Sequence, residues 1–268
     1  MRQKSIYLPH GGGPCFFMDP PPDHPTLWDG TAAYLRGIAG TTGARPAAVL
    51  VISAHWECER PTVQTAAAHT LLYDYYGFPE HTYRLTYPAP GAPAVAARVR
   101  ALLAQAGIES DEDAQRGLDH GVFIPFKLIY PDADIPLLQL SLQQGLDAER
   151  HIAIGRALAT LRDEGVLIVG SGMSYHNLRE FFAARPAADQ ASAEFDAWLG
   201  NAVESAPDER ARLLARWDQA PGALASHPRS EHLIPLMVAA GAAGEDAGRV
   251  TYRERLLGKT VCGVRFGN

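Results

Sequence analysis

A chain of 268 residues with 47% hydrophobic side chains can bury a sizeable core, as one large α/β domain or two small ones. Thirty acidic against 24 basic residues give a net charge of −6, which excludes the basic surface that nucleic acid binding requires. No apolar run approaches a bilayer span, the opening MRQKSIYLPHGG is too short for a signal core, and three cysteines without a CxxC pair exclude a disulfide framework or zinc ribbon, so a cytoplasmic, non-membrane protein with reduced thiols is expected.

In chain order, Ser5 to Pro9 is a strand candidate that runs into His10 and a Gly11-Gly12-Gly13-Pro14 turn. The glycine run lacks both the GK[ST] ending of a P-loop and GxGxxG spacing, and reads as backbone clearance around His10. A helix is predicted over Thr26 to Gly40. Ala47 to Ala54 is the most apolar strand and delivers His55; a strand without polar alternation is buried on both faces, as in a parallel sheet covered by helices. Tyr73 to Pro79 forms an aromatic loop, and Pro93 to Gly107 a helix with proline in its first turn and glycine closing it. After His120 come a short helix from Val122 to Tyr130, a strand from Ile135 to Leu142 and a helix from Asp147 to Glu164. The apolar strand Val166 to Gly170 opens into SGMSYHNLR with His176. Helices over Asp189 to Ser205 and Asp208 to Gln219 follow, then a helix from Glu231 capped by Ser230 with His232 in its first turn. Strands near Arg249 to Arg255 and Thr260 to Phe266 close the chain.

Strands alternate with helices, so the expected architecture is α/β: one mixed, mainly parallel sheet with helices on both faces. No linker or repeat divides the chain, and residues 1–268 read as a single domain. His10, His55, His120, His176 and His232 each stand where a strand-like run gives way to a turn or helix start. Taken singly, each fits a hydrogen-bonded turn histidine. As a set they fit a metal site, because neutral imidazole is the commonest ligand for zinc and Fe(II) and strand ends gather distant side chains. His10 and His55 are the strongest ligand candidates, while spacing alone does not rank His120, His176 and His232.

The segments PHGGGP, VISAHWE, YDYYGFPE, GLDHGVFIP, YPDADIPLLQLSL, GSGMSYHNLR and HPRSEHLIPL, in this order, resemble the class III extradiol ring-cleaving dioxygenases of the LigB-like superfamily, in the branch related to DOPA extradiol dioxygenase. The resemblance extends over nearly the whole chain. It implies a LigB-like α/β fold, Fe(II) for activity with zinc acceptable in the purified protein, and an aromatic diol and O2 as substrates. By position, His10, His55 and His232 match the family's metal ligands, His176 its acid–base histidine and in some zinc forms a further ligand, and His120 a second active-site histidine that contacts substrate or oxygen. In the related protocatechuate branch the third ligand is a glutamate, so Glu231 is the alternative to His232. One base must take a proton from the catechol and one acid must return a proton as the ring opens; His176 is assigned that work.

Asp119 and Asn177 flank two of these histidines and are candidates to orient an imidazole. The loop from Tyr73 to Phe78 either covers a flat ring or packs a strand connection, and Cys15 and Cys58 either line the site or pack as small hydrophobes. His24, His69, His81, His151 and His227 receive no role; His151 is read as solvated, and His227 lies near the site in sequence. Two other functions compete. A zinc hydrolase on the same scaffold would use the same histidines, and a Memo-like protein would only bind. The near miss to GxSxG at Gly172 to His176 lacks its closing glycine and is set aside.

Overall fold

The computed structural model describes residues 2–267. In chain order the elements are β1 (Ser5–Pro9), α1 (Asp29–Thr41), β2 (Ala48–Cys58), β3 (Thr62–Gln64), α2 (Pro93–Gln105), β4 (Asp111–Asp113), α3 (His120–Ile129), β5 (Leu137–Gln143), α4 (Ala148–Leu158), β6 (Val166–Gly172), α5 (Leu178–Phe181), α6 (Pro186–Glu204), α7 (Pro207–Ala215), α8 (Ala223–Ser226), α9 (Ile234–Ala243), β7 (Gly248–Leu256) and β8 (Lys259–Phe266). The eight strands form one sheet in the order β4-β3-β5-β2-β6-β1-β8-β7. Its centre, β5-β2-β6-β1, is parallel; β8 and β7 close one side antiparallel, and β3 pairs antiparallel with β5 on the other.

The central strands are buried on both faces, as their unbroken apolar runs require. One face packs against α2, α4, α6, α7 and α9, and the other against α1, α3 and the aromatic loop. The apolar helix α9 is buried along its whole length. It crosses α4 through glycines: a Cβ on Gly155 would stand 2.1 Å from the Val238 carbonyl, and one on Gly241 2.1 Å from that of Ile152. The hairpin between β7 and β8 turns at Leu257 and Gly258, both at positive φ, which matches the twist of the flanking strands. None of the described helices is long and apolar enough to cross a membrane.

Several expected boundaries move. Helix α3 begins at His120, two residues before the predicted start, because the Asp119 carbonyl already accepts from Val122 and Phe123. Asp147 caps α4, accepting from the Arg150 N–H at 2.6 Å, but the helix ends at Leu158 and continues as a 3-10 turn. The helix expected over Asp208 to Gln219 breaks after Ala215. The three-residue strands β3 and β4 are too short to leave a periodic signal. Helix α9 starts at Ile234, so His232 sits in the turn before it, and Ser230 contributes its carbonyl to Leu233 and Ile234 rather than a hydroxyl cap. His151 is buried, not solvated: its Nδ1–H donates to the Asp147 carbonyl at 2.6 Å and its Nε2 accepts from the Gln143 N–H at 3.0 Å.

Candidate metal centre

Strand register brings the first donors together. Ser171 of β6 stands opposite both Leu8 of β1 and Ser53 of β2, so the residues two positions further along those strands, His10 and His55, meet at the carboxyl edge of the sheet. That edge is where an α/β fold collects side chains from distant segments. The His10 N–H prolongs the β1–β6 ladder, donating to the Gly172 carbonyl at 3.0 Å. Strand β2 does not stop at Ala54 as expected; it runs to Cys58, and its register against β5 shifts between Ile52 and Glu57. An irregularity of this kind re-aims the side chain it carries, here His55.

The other three histidines arrive on turns and a helix start. The His120 N–H donates to Asp74 Oδ1 at 2.9 Å, which anchors the first turn of α3. The His176 N–H donates to the Ser226 carbonyl at 3.0 Å. The His232 carbonyl accepts from the Tyr7 hydroxyl at 2.7 Å and the Met173 N–H at 3.1 Å. A Cβ on Gly172 would lie 2.0 Å from that same oxygen, so only glycine allows this approach.

Five imidazoles converge. Nε2 of His10 and Nε2 of His55 are 3.2 Å apart. The His232 ring centroid lies 5.2 Å from that of His10 and 4.8 Å from that of His55. His120 is 4.0 Å from His55, and His176 stacks on His232 at 3.3 Å. One ligand atom from each of His10, His55 and His120 lies within 4.8 Å of the others, and the same holds for His176, Glu231 and His232.

On four of the rings Nδ1 faces an oxygen. The Ser171 hydroxyl donates to the Gly121 carbonyl, so its oxygen, 3.0 Å from His10 Nδ1, accepts the imidazole proton there. Asp74 Oδ1 lies 2.9 Å from His120 Nδ1, and Glu231 Oε1 lies 2.9 Å from His232 Nδ1 and 3.1 Å from His176 Nδ1. Nε2 is thus the nitrogen left to each of these rings, the arrangement that orients histidines around a metal. Burial, reinforced by neighbouring imidazoles, holds His10 and His232 well below the usual histidine range. Burial, then His120, pulls His55 down to about 3 against the attraction of Asp74. Burial pushes the Asp74 and Glu231 carboxyls up, but their bonds and charges with His120 and His176 outweigh it, and both remain below the usual carboxylate range.

This donor set fits a divalent transition metal. Two imidazole nitrogens each about 2.1 Å from one ion are separated by roughly 3.0–3.4 Å, depending on geometry, which brackets the His10–His55 spacing.

The ring-orienting carboxylates are Asp74 and Glu231, not the expected pair. Asp119 is buried and accepts from the Ser53 hydroxyl at 2.7 Å and the Arg116 guanidinium at 3.1 Å, with burial raising its pKa. The Asn177 amide donates to the Ala225 carbonyl at 2.8 Å. Asp74 was within reach of sequence reasoning, as the one acid inside YDYYGF. His227 lies behind the site, donating from Nε2 to the Ser174 carbonyl at 2.9 Å. Gly11 and Gly13 take positive φ, and a Cβ on them would meet Cys15 Sγ at 2.5 Å and the Phe78 ring at 2.9 Å respectively. The glycines therefore make room for the turn and its apolar neighbours rather than for His10.

All five histidines line a cavity of about 430 Å³. The aromatic loop contributes Tyr75 and Phe78 to its wall, and Trp28 and Phe181, stacked on each other, contribute a second aromatic side. Cys15 lines the cavity as well.

The family described as "Catalytic LigB subunit of aromatic ring-opening dioxygenase" matches residues 4–264. The 4,5-DOPA dioxygenase extradiol of Beta vulgaris is 44% identical over 76% of this chain and 75% of its own length. Dioxygenase tasH of Hapsidospora irregularis is 39% identical over 98% of this chain and 85% of its own. Among solved structures, an uncharacterized protein of Escherichia coli K12 matches with a TM-score of 0.76 at 30% identity, covering 99% of this chain and all of that one. A ring of histidines at the carboxyl edge of a parallel sheet, on a chain matched almost end to end, means that this protein belongs to the LigB family and is an extradiol aromatic ring-opening dioxygenase.

Proposed function

We propose that residues 1–268 act as a single catalytic domain that opens the ring of a catechol, DOPA-like or related, with O2 and Fe(II). The observation that carries this reading is the 3.2 Å approach of the His10 and His55 Nε2 atoms inside a cavity that also holds His120, His176 and His232. When bound, the metal supplies a Lewis-acid and redox centre for the diol and oxygen. Zinc binds such sites more tightly than Fe(II) and performs no redox chemistry, so the purified protein is expected to carry zinc unless iron is supplied.

His10, His55 and His232 are the proposed ligands. Burial holds the pKa of all three well below the usual range, so the rings are neutral as ligation demands, and they lie 4.8 to 5.2 Å apart. His176 carries the protons: its Nδ1 rests on Glu231, which stabilises the ring when Nε2 accepts a proton from a diol hydroxyl and later returns one. With zinc bound, His176 is positioned to serve as a further ligand beside His232. His120, oriented by Asp74 and 4.0 Å from His55, is assigned to contact the oxygen or the substrate. Glu231 acts by orienting His176 and His232 rather than by ligation, since Oε1 serves both rings and Oε2 lies 3.3 Å from Arg229.

Anaerobic loading with Fe(II), followed by catechols under air, tests this. Oxygen uptake with a yellow semialdehyde product is expected. Turnover without oxygen would indicate the zinc hydrolase, and no product would indicate a binding protein.

A further inference from the structure

Four of the five imidazoles are aimed by an oxygen on Nδ1, and His55 is the exception. Asp74 Oδ2 lies 3.9 Å from its Nδ1, beyond hydrogen-bond reach. The sheet ladders do not hold it either: pairing of β2 with β6 ends at Ser53, and pairing with β5 lapses between Ile52 and Glu57. Backbone groups in such a gap still need partners, and side chains supply them. The His55 N–H donates to Ser53 Oγ at 3.2 Å, and the His55 carbonyl accepts from Arg116 Nη2 at 3.0 Å. Both side chains end on one buried carboxylate. The Ser53 hydroxyl donates to Asp119 Oδ1 at 2.7 Å, and the same Arg116 nitrogen donates to Oδ2 at 3.1 Å. The guanidinium is held in turn over the Trp56 ring, 4.8 Å from its centroid. Asp119 directly precedes His120, and its carbonyl accepts from Val122 and Phe123 in the first turn of α3. A Cβ on Gly121 would stand 2.8 Å from Ser53 Oγ and 3.0 Å from His55 Cδ2, so that turn packs directly on the arrangement.

We propose that Ser53, Arg116 and Asp119 form a clamp that positions His55 through its backbone, fixing the aim of Nε2 and the 4.0 Å spacing of the His55 and His120 rings. The proposal rests on the ligand role given to His55 above. The three are positioning residues: they stand behind the cavity lining and act on a metal only through His55. Without them the segment around His55 is tied to the sheet only at its ends, and a small backbone rotation swings the ring away from His10.

The test measures the zinc affinity of the full-length protein by chelator competition and the visible spectrum of its Co(II) form, which reports coordination geometry. Ser53→Ala and Arg116→Met each remove one arm of the clamp and keep most of the side-chain volume, while Val99→Ala truncates a buried core residue of α2. Each arm variant is expected to lose at least about fivefold in zinc affinity, toward the roughly 10- to 100-fold typical of groups that orient a metal ligand, with a shifted Co(II) spectrum. Val99→Ala is expected to lower the denaturant midpoint and leave both metal readouts at parental values. A smaller loss or a parental spectrum in either arm variant that folds, or comparable losses in Val99→Ala, overturns the clamp; Ser53→Ala decides alone where Arg116→Met does not fold. A parent that binds zinc, with these losses in the variants but no oxygen uptake in its Fe(II) form, sinks the ring-opening reading and leaves the clamp standing. A parent that binds no zinc overturns both.

Discussion

Asp74 and Glu231 show how a few oxygen atoms set the orientation of three of the five rings, His120, His176 and His232. Each carboxylate holds at least one Nδ1 edge and so turns Nε2 toward the centre. Replacing Asp74 by Asn keeps the shape but removes the charge that orients His120, and a loss of about 10- to 100-fold in kcat/KM with unchanged metal content is expected. His176→Ala should retain the metal, measured by elemental analysis, and lose about 10²–10⁴ in kcat, the usual span for a general acid–base group. Full turnover in that variant would remove His176 from the mechanism. Both residues lie in segments whose resemblance is visible in sequence. The pairing of Asp74 with His120 is not, because 46 residues separate them along the chain.

At the scale of elements, the site depends on close backbone approaches that only glycine permits. Gly172 lets β6 run beside the His232 carbonyl, and Gly155 lets α4 lie against α9, the helix that follows His232. Gly155→Ala forces a methyl group against the Val238 carbonyl and should lower the unfolding free energy by about 1–3 kcal/mol, read as a shift in denaturant midpoint. A midpoint equal to that of the parent would mean that the α4–α9 contact is slack. The elements themselves were largely legible: long apolar runs gave the central strands, and proline or Asp147 marked helix starts. The short strands β3 and β4 and the continuation of β2 past His55 were not, because pairing partners rather than local pattern decide where a strand of three residues exists or ends.

For the molecule as a whole, buried neutral histidines make stability depend on pH. His151 uses one ring nitrogen as donor and the other as acceptor, a pattern only the neutral ring can satisfy. Burial lowers the pKa of His151 and takes that of His227 down to about 4. Unfolded, both rings take up a proton near pH 6.5, so between that value and the folded pKa the unfolded chain binds more protons. Stability contributed by these rings is therefore complete above about pH 6.5 and declines as pH falls. His227 alone accounts for about 3 kcal/mol by pH 4. Denaturant titrations from pH 7 to 4.5 are expected to show this slope, and His227→Gln should flatten it.

The sequence by itself determined the alternation of strands and helices, the buried parallel centre and the five histidines at element boundaries, since hydrophobic period and turn chemistry are local properties of the chain. Only the tertiary structure decided which atoms meet: the 3.2 Å contact between His10 and His55, the carboxylates behind the rings, and the apolar walls that Trp28 and Phe181 supply from opposite halves of the chain. Strand order and register set those distances, and they are fixed by packing across the whole sheet rather than by any one segment.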